Sequence, residues 1–217
     1  MVTNRQMGAG LLPHPEKIEA ILFSFYKNSN LRLSIKLRAG LVSFKEIEQV
    51  IPVLNQFPLT EVIFHPRIAK QLYKGEILYA AFEYALKKLS HRLVYNGDIF
   101  SASDFRTCQE KFPEINAWML GRGVLMNPFL PSEIKGNFNT SIEKLEKLQE
   151  FHQCIFDLYS EKMDNEGNVL NKMKQFWIYF SYSFNEQKKC LKLIKKASSL
   201  TKYKDETGKI FRNYHIS

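Results

Sequence analysis

Residues 93–99 read Leu-Val-Tyr-Asn-Gly-Asp-Ile, and residues 117–123 read Ala-Trp-Met-Leu-Gly-Arg-Gly. In each segment a short apolar run enters a polar turn that contains glycine. A buried parallel strand has this apolar pattern, and glycine lets the backbone that follows approach a ligand closely. Two such turns side by side would present backbone N–H groups and an arginine to one phosphate. Asn96-Gly97 is also a common hairpin turn, so the pattern leaves a phosphate cradle and a plain turn open.

The first 121 residues alternate between helix-like and strand-like patterns. Pro15 opens one helix, and Ser43 with Glu46 forms a capping box for a second, which Pro52 is expected to kink or shorten. Strands are predicted at residues 33–37, 61–65, 93–96 and 117–121, with further helices between the later ones. This alternation is typical of a parallel sheet covered by helices.

Polar residues recur at or near the carboxyl end of each predicted strand. They are Lys36, His65, Asn96 and the Gly121-Arg122 pair, at intervals of about 25–31 residues. Because the carboxyl ends of the strands carry the active site in parallel α/β folds, we expect these residues to share one site. Four strands suffice for an open sheet, but the unbroken pattern at the strand ends indicates a barrel, which needs eight.

The pattern becomes helical after Pro128. Thr140 and Glu143 form a capping box for a long helix. Two more helices are predicted at residues 170–184 and 186–198, and the second is taken to be the last helix of the chain. The aromatic residues of this part are expected mostly to pack in its core.

Composition and cysteine content restrict the class of protein. The 217 residues are 45% hydrophobic and 24% charged, which allows a packed core. The chain has no stretch of about 18 apolar residues and no signal-peptide pattern, so a cytoplasmic location is expected. Cys108, Cys154 and Cys190 are odd in number and widely spaced, which argues against a disulfide framework or a metal site. We expect them to be small buried hydrophobic residues.

The net charge of +9 is concentrated towards the C-terminus. Residues 170–217 contain 11 lysines and arginines against three acidic residues. One broad face of the predicted last helix carries Lys188, Lys189, Lys192, Lys195 and Lys196. Such a face favours nucleic acid or an anionic membrane surface as partner, although a merely solvated helix face has the same composition.

Five segments together resemble the tRNA-dihydrouridine synthases, flavoenzymes with a (β/α)8 barrel and a helical C-terminal domain. The segments are Ser34-Ile-Lys-Leu-Arg38, Phe64-His-Pro-Arg67, Gln71-Leu-Tyr-Lys-Gly75, Tyr95-Asn-Gly-Asp-Ile99 and Met119-Leu-Gly-Arg-Gly-Val-Leu-Met-Asn-Pro128. Pro66 departs from the family, which usually has glycine there. The resemblance implies an α/β fold in which residues 1–134 form the last four strand–helix units of a partial (β/α)8 TIM barrel. Residues 135–217 would form an all-α, tRNA-binding domain.

The resemblance also implies FMN as cofactor and NADPH as reductant. Uridine in tRNA would be reduced to 5,6-dihydrouridine, with hydride passing from the flavin to C6 of the uracil. Cofactor-binding residues carried over on the matching motifs are Lys36, His65, Asn96, Gly97, Asp98, Gly121 and Arg122. The first two would contact the flavin ring, and the others would surround its phosphate. Substrate-binding residues are expected to be Arg38, Arg67, Tyr73 and Lys74, together with the five lysines named above.

The family's proton donor is a cysteine in an Asn-x-Gly-Cys-Pro motif ahead of the matching segments, and none of the three cysteines lies in such a motif. The chain is therefore expected to be the C-terminal half of a synthase, inactive by itself. It would be an internal start, a truncated gene or an expressed fragment. Because half a barrel leaves strand edges open, association with a missing N-terminal half or with a second copy is also expected.

Two other functions fit the same residues. A non-catalytic RNA-binding remnant would use the helical part and its lysines. Another FMN- or phosphate-binding barrel enzyme would use the strand ends, where many such folds hold a phosphate. Lys36, His65 and the motif at residues 71–75 argue against this third function.

Overall fold

The computed structural model describes residues 6–137 and 140–216. They form two compact units. The α/β unit comprises Met1–Asp98 and Thr107–Gly121, and the helical unit comprises Ile99–Arg106 and Arg122–Ser217.

The α/β unit contains a three-stranded parallel sheet in the order β1-β2-β3, which confirms the predicted parallel alternation. Its strands are β1 (Ser34–Gly40), β2 (Glu61–Ile68) and β3 (Leu93–Tyr95). Its helices are α1 (Pro15–Asn28), α2 (Glu46–Leu54) and α3 (Tyr79–Lys88), and α4 (Ala102–Lys111) contributes residues to both units. Because β3 runs parallel to β2, Asn96-Gly97 does not close a hairpin.

The predicted fourth strand at residues 117–121 is wrong as a full strand. It is reduced to one parallel bridge between Tyr95 and Trp118. The backbone of Tyr95 makes both hydrogen bonds of this bridge, with Ala117 at 3.1 Å and Met119 at 2.8 Å. The ladder stops there because the Asn96 side-chain amide occupies the Met119 carbonyl at 2.7 Å. The Asn96 backbone N–H points to the other neighbour and donates to the Phe64 carbonyl on β2 at 3.0 Å.

Helix α2 shows how local sequence sets its start. The Glu46 carboxylate accepts backbone N–H bonds from Leu41, Val42 and Ser43 at 2.6 to 3.1 Å, the last as a capping box requires. The backbone from Ser43 makes i→i+3 turns first, so the helix begins at Glu46. A carboxylate also suits the positive end of a helix dipole. Pro52 lies inside α2, which ends two residues later.

The helical unit contains six helices that lie wholly within it, among the residues described. They are α5 (Arg122–Met126), α6 (Leu130–Ile134), α7 (Ser141–Lys162), α8 (Glu166–Phe180), α9 (Gln187–Lys196) and α10 (Leu200–Asn213). The Thr140–Glu143 capping box is confirmed at the start of α7. Helix α10 was not predicted, so the basic helix α9 is not the last. The Ser199 hydroxyl caps α10 by accepting a hydrogen bond from the Lys202 N–H. The composition of α10 is mostly polar, so the spacing of its buried residues did not stand out in the sequence.

One aromatic core fills the helical unit. Trp177, Phe180 and Phe184 are at most 1% exposed, as predicted, whereas Tyr182 is 47% exposed. The expectation that all cysteines are buried is wrong for Cys154, which lies on the outer face of α7. In the part of the chain described, no helix is long and apolar enough to cross a bilayer. Nor do three His, Cys, Asp or Glu side chains gather there as a metal site would require.

Candidate functional site

The carboxyl ends of the three strands lie at one edge of the sheet. Arg38 on β1 is opposite His65 on β2, and Phe64 is opposite Tyr95 on β3. The residues that follow each strand therefore share this edge. Of the predicted site residues, Asn96, Gly97 and Asp98 follow β3, and Arg38, His65 and Arg67 lie in the second halves of β1 and β2. Lys36 is only the third of the seven residues of β1, so the prediction that it ends its strand is wrong.

Arg67 and Asp98 form an ion pair with each other. Two guanidinium nitrogens of Arg67 donate to the two carboxylate oxygens of Asp98, at 2.7 and 2.5 Å. The third nitrogen, Nε, donates to the Gly75 carbonyl at 2.7 Å. Arg67 is only 4% exposed, and the hydrogen bonds to Asp98 raise its pKa. Arg67 is therefore a buried clamp whose three guanidinium nitrogens all donate to groups of this chain.

His65 lies beside this clamp and is 6% exposed. Burial, followed by the positive charges of Arg38, Lys36 and Arg67, lowers its pKa to about 4. The ring of His65 is stacked near the ring of Tyr73, with centroids 6.3 Å apart. His65 is therefore an uncharged imidazole at neutral pH, able to donate and accept hydrogen bonds.

The predicted site is electropositive near His65. Loss of hydration and the neighbouring Arg38 charge lower the pKa of Lys36, whose side chain still reaches solvent. Arg38 donates to the Ile68 and Leu72 carbonyls, at 3.2 and 2.9 Å. Among the residues that the structure describes, no carboxylate forms an ion pair with Arg38 or Lys36, so their charges leave a field that favours an anionic ligand.

Side chains of Arg38, Arg67 and Gln71 form hydrogen bonds with the backbone of the loop at residues 69–75 and of Ile68 just before it. Arg38 binds the Leu72 carbonyl, Arg67 binds the Gly75 carbonyl, and the Gln71 amide accepts from the Ile68 N–H at 2.9 Å. Leu72 has φ +52°, a left-handed conformation that is strained for a side chain with a Cβ. The expected substrate-binding residues Tyr73 and Lys74 lie on the exposed side of this loop.

The two predicted phosphate-site glycines differ in what surrounds them. A Cβ at Gly97 would lie 2.4 Å from the Tyr95 hydroxyl, so packing within the chain already explains that glycine. A Cβ at Gly121 would meet no atom within 4 Å. The space at Gly121 is therefore open to a ligand, as a phosphate cradle requires.

The remaining predicted site residues belong to the helical unit. Arg122 opens α5, and its guanidinium lies 5.2 Å from the ring centroid of Phe100 in the same unit. All five lysines of α9 are exposed, and Lys189 forms an ion pair with Glu186. The buried side of α9 carries Cys190 and Ile194. The helix thus presents its lysines to solvent on the face that the sequence predicted.

Sequence reasoning missed the internal roles of Arg38, Arg67 and Asp98. The Arg67–Asp98 pair is separated by 31 residues, and the bond from Arg38 to Leu72 by 34. No local signal marks either contact, since they depend on the register of parallel strands. The one hint was that an acidic residue at a phosphate site, Asp98, needs a cation to neutralise it.

Comparisons with known proteins agree on one family. The family model described as dihydrouridine synthase (Dus) matches residues 1–214. The chain is 26% identical to the tRNA-dihydrouridine(47) synthase NAD(P)(+)-like protein of Arabidopsis thaliana, over 85% of this chain and 27% of that protein. It is 24% identical to the tRNA-dihydrouridine(16) synthase of Vibrio parahaemolyticus, over 95% of this chain and 66% of that one. A probable tRNA-dihydrouridine synthase of Aquifex aeolicus is 29% identical over 55% and 36% of the two chains. The chain thus spans between about a quarter and two thirds of the length of these relatives.

Proposed function

The chain belongs to the dihydrouridine synthase family, and we propose that it serves the FMN-dependent reduction of uridine to 5,6-dihydrouridine in tRNA. The observation that carries this proposal is the match over residues 1–214, together with polar residues on or just after three neighbouring parallel strands. In this proposal residues 1–134 supply the cofactor-binding part and residues 135–217 the tRNA-binding part. We also propose that the chain works in the cytoplasm.

The parallel sheet is proposed to be part of a (β/α)8 barrel. Strand β1 is at one edge of the described sheet, and the bridge at Trp118 continues the other edge. Both edges offer backbone groups to a further strand. Association through these edges, with another barrel segment or a second copy, follows from the same reasoning.

FMN would be held at the strand ends. The open space at Gly121 suits its phosphate, with Arg122 next in the chain, and Lys36 and His65 suit the polar edge of its ring. When bound, FMN supplies the hydride, and NADPH is the proposed reductant. Asn96, with its amide fixed on Met119, keeps the turn beside Gly97 and Asp98 in one shape for the cofactor.

The chain's own residues would bind and orient the reactants. His65 is uncharged at neutral pH, so it offers a hydrogen bond without adding a positive charge beside Lys36. Lys36 would stabilise negative charge that builds up nearby. The clamp of Arg67 on Gly75 and Asp98 fixes the loop that carries Tyr73 and Lys74. These two exposed residues are proposed to contact the tRNA, and the α9 lysines to contact its phosphates.

Proton donation is the step for which this chain offers no matching residue. Cys108 is buried against Tyr95, Cys190 is buried in the helical core, and Cys154 lies in the helical unit. None lies in the family's Asn-x-Gly-Cys-Pro motif. We therefore propose that these 217 residues bind cofactor and RNA but do not complete the reaction alone.

A cofactor titration tests the proposal. FMN fluorescence should be quenched on binding. Mass spectrometry of a tRNA substrate should detect no dihydrouridine made by this chain alone. The second candidate is an RNA-binding protein without flavin, which the exposed α9 lysines favour. Binding of tRNA with no saturable FMN quenching would select that second function and reject the first.

A further inference from the structure

A cavity of about 300 Å³ opens between α7 and α10 in the helical unit. Its residues come from these two helices alone. The buried part is formed by His152, Phe156, Tyr203 and Phe211, none of them more than 8% exposed. The proposed function uses none of these residues. The volume is at the lower end of small-molecule sites, roughly 300–1,000 Å³, and suits a single ring system.

The buried wall of the cavity consists of aromatic rings that lie nearly parallel to one another. The rings of Phe156 and Tyr203 lie 13° from parallel with centroids 6.0 Å apart, and those of His152 and Tyr203 lie 26° from parallel at 5.8 Å. Planar aromatic groups pack favourably against such rings. Because Tyr203 is fully buried, a flat guest would contact the parts of His152, Phe156 and Phe211 that reach the surface.

The polar groups of this wall are uncharged. The Trp177 indole N–H donates to the Tyr203 hydroxyl at 2.9 Å, and that hydroxyl is 2.5 Å from Nε2 of His152. Burial lowers the pKa of His152 to about 4. An ion would lose its hydration here without a counter-charge, so the wall favours a neutral ring.

The rim supplies two amide side chains from α7 and one lysine from α10. Gln149 and Gln153 lie on α7, and Gln153 donates to Asp157 at 2.8 Å, which leaves its carbonyl oxygen as an acceptor. Lys204 on α10 lies with its ammonium 5.1 Å from the Phe156 ring centroid. Amide side chains match the donor and acceptor edges of nucleobases, and lysine matches phosphate.

We propose that this cavity holds one unstacked nucleobase of an RNA strand, with the adjoining phosphate towards Lys204. Single-stranded RNA is recognised in this way, by stacking on aromatic side chains and by hydrogen bonds to base edges. The inference rests on the proposed tRNA substrate, because it names how one part of that RNA is held. It places a specific contact on α7 and α10, apart from the lysines of α9.

Gly208 offers a way to close the cavity without disturbing the fold. It lines the cavity on α10, and a Cβ there would meet only the Arg212 guanidinium, at 3.7 to 3.9 Å. This is ordinary van der Waals contact. A methyl group at position 208 is therefore tolerated, and because Gly208 lines the cavity, a large side chain there should extend into the space proposed for the base. Gly208→Phe is the test variant, and Gly208→Ala is its matched control.

The experiment follows the indole N–H signal of Trp177 in the full chain labelled with ¹⁵N-tryptophan. Trp118, the other tryptophan, lies in the α/β unit and serves as internal reference. AMP, UMP, CMP and GMP are titrated separately, and ribose 5-phosphate reports binding of phosphate without a base. We expect at least one nucleotide to shift the Trp177 signal saturably in the wild type and in Gly208→Ala but not in Gly208→Phe. No saturable shift with any nucleotide, or an equal shift with ribose 5-phosphate, overturns the proposal.

Binding of whole tRNA separates this inference from the proposed function. Loss of one stacked base should weaken tRNA binding by about 5- to 150-fold in Gly208→Phe relative to Gly208→Ala. Equal affinity of the two variants overturns the base site and leaves the proposed function standing. If nucleotides bind the cavity but the wild type binds no tRNA, RNA is overturned as the source of the base, together with the proposed function.

Discussion

The buried guanidinium of Arg67 grips both carboxylate oxygens of Asp98, at 2.7 and 2.5 Å, across 31 residues of sequence. The same arginine holds the Gly75 carbonyl. One side chain thereby ties the end of β2, the turn after β3 and the exposed loop at residues 69–75 into one rigid edge. Its function is to position this edge.

Removing the clamp should destabilise the protein. Arg67→Ala leaves the Asp98 carboxylate and the Gly75 carbonyl without this partner, so the free energy of unfolding should fall by about 3 kcal/mol. Urea unfolding measures this. The control is Arg92→Ala, whose ion pair with Glu61 is 3.4 Å long and has side chains 56% and 25% exposed. That exposed pair should contribute less than about 1 kcal/mol. Equal losses in the two variants would contradict the clamp.

The two glycines of the proposed phosphate site should respond in opposite ways. Gly121→Ala adds a methyl group to open space, so stability should hold while FMN affinity falls. Gly97→Ala forces a methyl group against the Tyr95 hydroxyl, so thermal stability should fall whether or not FMN is present. Fluorescence titration and thermal unfolding of both variants measure this. Undiminished FMN affinity in Gly121→Ala would reject the cradle.

Arg122 should contribute a charge-assisted contact to the FMN phosphate. Its loss removes about 1.5–3 kcal/mol, so Arg122→Ala should weaken FMN binding by roughly ten- to a hundredfold. FMN titration against the wild type is the measurement. Arg106→Ala, another arginine of the helical unit, is the control. A variant with wild-type affinity would remove Arg122 from the site.

Acid should destabilise the chain through His65. Its pKa is about 4 in the folded protein and about 6.5 when unfolded, so below pH 6.5 the unfolded state binds the proton more readily. The stability that the neutral imidazole contributes is therefore present above pH 6.5 and lost as the pH falls towards 4. Between pH 7 and 5 this loss should be about 2 kcal/mol.

His65→Gln should remove that part of the pH dependence. His152, whose pKa is also lowered to about 4, keeps its own contribution in the variant. Urea unfolding at pH 7 and pH 5 should therefore give a smaller difference for His65→Gln than for the wild type. Identical differences would mean that His65 titrates normally.

RNA binding should depend on the exposed face of α9. Changing Lys188, Lys192 and Lys195 to glutamine should flatten the dependence of log K on log salt by roughly two to three units. The control changes three exposed lysines of the α/β unit, Lys27, Lys87 and Lys88. Filter binding at several salt concentrations distinguishes the sets. An unchanged slope in the α9 variant would make its lysines a solvated face.

The sequence alone determined the type and order of most elements, because capping pairs and apolar spacing act within a few residues. The parallel strands that carry Lys36 and His65, the strand that precedes Asn96, and the capping box at Thr140 were predicted in this way. Their shared edge followed from the geometry of parallel strands.

Only the tertiary structure decided how these residues are used. It paired Arg67 with Asp98, assigned Gly97 to packing against Tyr95, and left the space at Gly121 open. It also ended the fourth strand after one bridge, because the Asn96 side-chain amide donates to the Met119 carbonyl. Each outcome depends on strand register and on side chains that meet from distant parts of the chain. Local spacing carries no information about such meetings, so the sequence predicted where the site lies and the packed fold decided which of its groups face a ligand.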